Sequence, residues 1–290
     1  MITEQLSIVT CSYAPDVKRC QRLCRSIDRL VPKHIEHCII VPRRDYPLFR
    51  NLQSSRRRIV VTEDVVPGGF YHLPIAKKMW LSPTLLPVRG WIMQQITKLS
   101  ASFAVNSELI LFVDSDLEFI RDLNMGLIYH SERLRLHRVP SAKQEGTHRH
   151  WHHQAARLLG EKPRYFGSDY VGQLITWRRS NLQALHAHIE NTHDKPWYQP
   201  VANSLRFSEY ILYGAFVEHI VGLESSGHFS CDDDICHCCW VSAEATSLLN
   251  GTAVISHRAQ AVLLQSNLGL KAEQEEELFL AAQQSIKLIL

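Results

Sequence analysis

The apolar positions of the first 120 residues fall into short, nearly continuous runs separated by stretches of helical period. Leu6–Cys11 (LSIVTC), 38–41 (CIIV), 59–62 (IVVT) and 109–113 (LILFV) are the runs. Segments this short and this apolar predict strands covered on both faces, the pattern of a parallel sheet. Between them, Val17, Cys20, Leu23, Cys24, Ile27, Leu30 and Val31 predict a helix over 17–31, with Lys and Arg on its outer side. The spacing predicts a short helix over 46–52 and a longer one over 90–104. The Pro- and Gly-bearing stretch 66–89 predicts a long loop, and loops of that length in compact domains are usually functional.

The second half is less regular. It predicts a His-rich loop at 147–153 leading into a helix from Trp151, a strand over 173–177, and helices over 181–191 and 208–221. A Cys/Asp patch, a strand over 253–256 and a C-terminal helix from Ala272 follow. The class is therefore α/β, a Rossmann-like, mostly parallel sheet flanked by helices. No linker or internal repeat divides the chain, so it reads as one domain, 1–290, with an elaborated C-terminal half.

Composition changes this picture little. Hydrophobic residues are 45% and charged residues 21%, ordinary values for a globular chain. The 32 Lys and Arg against 29 Asp and Glu leave a formal charge of +3, too small for a general nucleic-acid binder. No apolar run reaches the length of a membrane span. The start, MITEQLSIVT, lacks the basic region of a secretory leader, so a cytoplasmic protein is expected, with peripheral membrane association left open. Cys11, Cys20, Cys24 and Cys38 read as small buried hydrophobes.

Candidate chemistry centres on Asp114-Ser115-Asp116, directly after the fourth strand. Ligands of such sheets bind beyond the carboxyl ends of the strands. Residues two apart on an extended chain share a side, so Asp114 and Asp116 aim together while Ser115 faces away. Paired carboxylates repel unless a cation joins them. Mg²⁺ or Mn²⁺ suits oxygen ligands and takes further ligands from phosphates. The bland alternative is a pair of acids closing a turn.

The stretch ELILFVDSDLEFIRDL resembles the D-x-D strand of GT-A glycosyltransferases. SIVTCSYAPDVKRCQRLCRSI, HCIIVPRRDYPLF, PVRGWIMQQITKL, HWHHQAARLLG and FSEYILYGAFV further resemble a bacterial family catalogued as a domain of unknown function. The GT-A resemblance implies a nucleotide-sugar donor, a divalent metal and a glycan or lipid-linked acceptor, as in cell-surface polysaccharide synthesis. It makes 1–120 the nucleotide-sugar-binding half and 121–290 the acceptor side.

Thr10, Cys11 and Tyr13 then fall where base and ribose are cradled, with Ser115 nearby. Asp16 either bonds the donor or caps the helix at Val17. Arg43 is expected to reach a phosphate. Gln94 and Lys98, four apart on one helix, share a face suited to donor binding or to a solvated Lys. Trp91 is assigned to the core rather than to a sugar platform. Glu209, behind Ser208 at a helix start, is the expected general base if the transfer inverts the anomeric centre, a retaining transfer needing none, or else a first-turn acid settled by the helix dipole. Asp169, in a glycine-flanked loop, is the second candidate. His257 is expected to complete the metal site, by resemblance to a C-terminal His of GT-A enzymes. Neither the four histidines of HRHWHH nor Cys231, Cys236, Cys238 and Cys239 have the spacing of a zinc site. A phosphate hydrolase, a nucleotidyltransferase and a non-catalytic nucleotide-sugar-binding module are the competing functions.

Overall fold

Alternation along the strands decides how the molecule is layered. On β1 (Leu6–Cys11), Val9 and Cys11 belong to one apolar cluster, Leu6 and Ile8 to another, on opposite faces. The computed structural model describes residues 5–72 and 79–287. The first four residues, which bear on the leader expectation, and the middle of the expected 66–89 loop lie outside these.

β1 sits at the centre of a five-stranded sheet, beside β2 (Glu36–Val41), β3 (Arg57–Val61), β4 (Leu109–Phe112) and β5 (Ile175–Arg178). The order is β5-β4-β1-β2-β3. β1 runs parallel to β2 and β4, β2 parallel to β3, and only β5 is antiparallel. The protein is thus a mixed α/β domain with a mostly parallel central sheet.

Helix α1 (Val17–Leu30) covers one face with Cys20, Leu23, Cys24 and Ile27, all buried as their spacing requires. Helix α2 (Gly90–Leu99) lies on the other, pressing Ile92, Met93, Ile96 and Leu99 into the core shared with Ile110 and Phe112. Each fully buried side chain of this kind contributes about 1.5–3 kcal/mol. Helices α3 (Gly146–Leu158), α4 (Arg179–His193) and α5 (Glu209–Ala215) complete that layer.

Several expectations need correction. The loop expected at 66–89 carries a small antiparallel sheet of Tyr71–His72, Met79–Ser82 and Leu85–Arg89. The helix expected over 90–104 breaks at Ser100, whose hydroxyl bonds back to the Ile96 carbonyl and competes with the helical ladder. The HRHWHH segment is helical: His148 and His152, four apart, turn inward while His150 is exposed. The strand expected at 253–256 is irregular, and Val254 is 89% exposed. The strand is instead Ala261–Leu264, placed between Leu117–Phe119 and Cys236–Cys239. Past α5 the chain loosens into a π-helical turn, Phe216–Gly222. A C-terminal helix, α6 (Ala272–Lys287), ends the described chain.

Candidate active site

The carboxyl ends of β1, β2 and β3 form one wall of a groove of about 640 Å³. Cys11, Ser12, Tyr13, Pro42 and Arg44 lie on this wall, the 71–89 sheet adds His72, Met79 and Trp80, and α2 adds Trp91, Gln94 and Thr97. The sheet edge and the hairpin thus enclose a space where the sequence suggested only a loop.

At one end of this edge stands the acid pair. Asp114 ends β4 and is joined to Lys98 of α2, Nζ to Oδ1 at 3.0 Å. Lys98 is 5% exposed and also stands 3.4 Å from Glu209 Oε1. It donates to the Tyr210 hydroxyl at 2.7 Å and lies 4.6 Å from that ring's centre. Burial alone would lower the Lys98 pKa, but Asp114, Tyr210 and Glu209 outweigh it and hold the ammonium charged. Burial raises the Glu209 pKa, with Lys98 opposing. Helix α5 begins at Glu209 because Ser208 caps it, accepting from the Ile211 amide.

Asp116 occupies the turn after β4, and its Oδ2 accepts from the Ser266 amide at 3.2 Å. Burial, then the charge of Asp114, pushes its pKa up to about 7. Ser115 is buried, its hydroxyl accepting from that of Ser12 at 3.3 Å.

The other expected residues are distributed differently. Tyr13, Cys11 and Gln94 line the groove, Cys11 from its buried floor, where its thiol pKa is raised by burial. Thr10 does not: it is 1% exposed and bonds His37 Nε2 at 3.0 Å, because alternation along β1 turns it to the α1 side. Asp16 stands at the cap position of α1 without capping it; its carboxylate pairs with Arg19 at 2.7 Å. Arg43 is outside the groove, paired with Asp64 on the surface, and its neighbour Arg44 lines the groove instead.

Asp169 is 1% exposed, ion-paired with Lys143 at 2.8 Å, and stands 3.3 Å from His148 Nδ1. Burial would raise its pKa, but those two partners bring it below the usual range. It belongs to a separate cluster beside α3, not to the Lys98 cluster. His257 is exposed, and its carbonyl accepts from Arg121 at 2.6 Å. Leu263 pairs with Leu117 and Ala261 with Phe119, so His257 lies at the end of this strand pair opposite Asp116. The structure does not bring it to the acids. The segment that does return to them is 265–266, as the true strand lies eight residues later than expected.

Gln95 was overlooked. Its Oε1 accepts from the Glu209 amide at 3.1 Å, while its buried Nε2 has no hydrogen-bond partner among the described residues. The signal was its i,i+3 spacing to Lys98 on one helix face. Among the described residues no three His, Cys, Asp or Glu side chains form a ready ligand cage. The cysteines of 231–239 are free thiols.

A mostly parallel sheet with helices on both faces defines an α/β protein, and its groove and buried charges lie at the carboxyl edge, where such folds bind their ligands. The chain matches the model of a family of unknown function, DUF6492, over residues 3–263, and belongs to that family. No curated protein matches it.

Proposed function

We propose that the protein is a GT-A-type glycosyltransferase, moving a sugar from a nucleotide-sugar donor to a hydroxyl of a glycan or lipid-linked acceptor. The observation that carries this reading is the Asp114–Lys98–Glu209 cluster at the carboxyl edge of β4, adjoining a groove large enough for a nucleotide.

The donor set fits a divalent ion. Asp114 and Asp116 are two oxygen-bearing acids, and Asp114 disfavours the charge on Asp116, a conflict that a cation removes. Mg²⁺ is typically held by one or two carboxylates plus substrate phosphates, so the small protein donor set suits Mn²⁺ or Mg²⁺ arriving with the donor. Bound there, the ion would stabilise charge on the departing diphosphate.

The remaining work falls to the chain itself. Tyr13, Arg44 and Gln94 line the space for base, ribose and phosphate. Glu209 accepts the proton of the acceptor hydroxyl as the new glycosidic bond forms and the bond to the diphosphate breaks. Its raised pKa moves it toward the operating pH, as a general base requires. Lys98 holds Glu209 and Asp114 in place.

A thermal-shift screen of nucleotide sugars with and without Mn²⁺ tests this. A donor at a hundred times its Kd adds about 2.7 kcal/mol of stability. Asp114→Asn and Asp116→Asn should each remove the Mn²⁺-dependent part of that gain. Equal donor stabilisation of wild type and both variants would refute the metal assignment.

A further inference from the structure

Trp91, which the sequence assigned to the core, is 48% exposed and lines the groove. Gln94 and Thr97 follow it along the same groove-facing side of α2. The indole is braced from behind. Trp151 of α3 stacks on it with centroids 6.1 Å apart and ring planes 30° from parallel, and the His148 ring stands 4.5 Å from Trp151. His148 Nδ1 stands 3.3 Å from Asp169, which Lys143 grips at 2.8 Å. Asp169 is thus an anchor for the brace.

The ring stands at a remove from the charged cluster. Trp91 precedes Lys98 by seven residues on one helix, about 10 Å along its axis. That is farther than the reacting hydroxyl itself needs, and within the span of a linked sugar. The brace comes from α3, which packs against α5, the helix that begins at Glu209. Arg44, Thr62 and His72 line the same groove from other elements, the ends of β2 and β3 and the small antiparallel sheet.

Chemistry narrows the occupant. A rigid aromatic face offers contact area at low entropic cost. A polar side chain that lines the groove beside it, Arg89, adds hydrogen-bonding capacity. A pyranose presents that combination, an apolar C–H face ringed by hydroxyls. Resting on the glycosyltransferase reading, we propose that Trp91 is the platform of an acceptor subsite, on which a sugar ring of a glycan stacks at a remove from the reacting hydroxyl.

The test is saturation-transfer NMR with methyl glucoside, methyl galactoside, methyl N-acetylglucosaminide, lactose and chitobiose. It uses wild type, Trp91→Ala and Trp91→Phe, with circular dichroism to confirm folding. Thermal shifts with UDP and GDP plus Mn²⁺ run in parallel. At least one sugar should bind wild type, about tenfold more weakly to Trp91→Ala, and with intermediate affinity to Trp91→Phe. The nucleotide shifts should be unchanged. Sugar binding that survives Trp91→Ala overturns the platform, and so does a panel that never binds wild type. Loss of the nucleotide shift in Trp91→Ala would make the ring a base-stacking residue and also overturn it. Sugar binding through Trp91 in a protein that binds no nucleotide would uphold the platform and sink the transferase reading instead.

Discussion

Lys98 holds two acids from two different elements, Asp114 after β4 and Glu209 at the start of α5. Removing it leaves both acids facing a buried site without their cation, and breaking a buried pair in this way costs about 3–5 kcal/mol. Lys98→Met should therefore lower stability by that order in urea unfolding, and adding Glu209→Gln should recover part of the loss. Glu209→Gln alone keeps shape and loses basicity. We expect kcat to fall by about 10²–10⁴-fold with donor Kd little changed. A helix-dipole role would cost only about 0.3–1 kcal/mol of stability and leave turnover intact. At this scale the sequence was partly readable. A D-x-D after an apolar run placed Asp114, and a four-residue spacing placed Gln94 and Lys98 on α2. It could not show that Lys98 reaches Asp114 and Glu209, because that contact spans 111 residues of chain between Lys98 and Glu209. Thr10 and Arg43 lie outside the groove because the alternation of β1 and the turn after β2 decide which neighbour faces it.

Among the elements, legibility followed the strength of the apolar signal. The four strands and α1 of the first half are continuous or strictly periodic, and the structure has them in place. The small sheets were missed because their strands are short and mix charge with apolar residues. Arg133–His137 carries a fully buried Arg135, and Ala261–Leu264 lies near the equally apolar-looking 253–256. That one displacement carried His257 away from the site. Gly214, on the helix that begins at the proposed base, shows how tightly α5 is packed. A Cβ there would meet the Tyr170 ring at 2.3 Å. Tyr170 is itself held, donating to Glu218 at 2.8 Å, so it cannot easily yield. Gly214→Ala should cost about 1–3 kcal/mol in chemical denaturation despite the better helix propensity of Ala. An unchanged midpoint would show that the ring moves freely.

For the whole molecule, buried histidines set the response to acid. Burial lowers the pKa of His228 to about 3 and those of His137, His152 and His186 to about 4. The unfolded chain binds protons at these sites from about pH 6.5 downward while the folded chain does not. Their contribution is therefore complete above pH 6.5 and is lost as the pH falls toward 4, at about 1.4 kcal/mol per pH unit for each. Acids with raised pKa values, Asp116 and Glu209 among them, act in the opposite sense. A single variant isolates one histidine. His228→Gln should flatten the dependence of unfolding free energy on pH between 6.5 and 4 by about 1.4 kcal/mol per unit, whatever it does to the height of the curve. The same long-range logic applies to α6. Its Glu275 is buried and gripped by both Arg19 and Arg22, and Arg19 also holds Asp16, one turn from Tyr13 in the groove. The family match ends at residue 263, before this helix begins. What lies past the shared part of the chain is nonetheless fastened to the first loop of the site. Helix α6 serves as a buttress for the edge that holds Tyr13, and removing or displacing it would be felt at the groove.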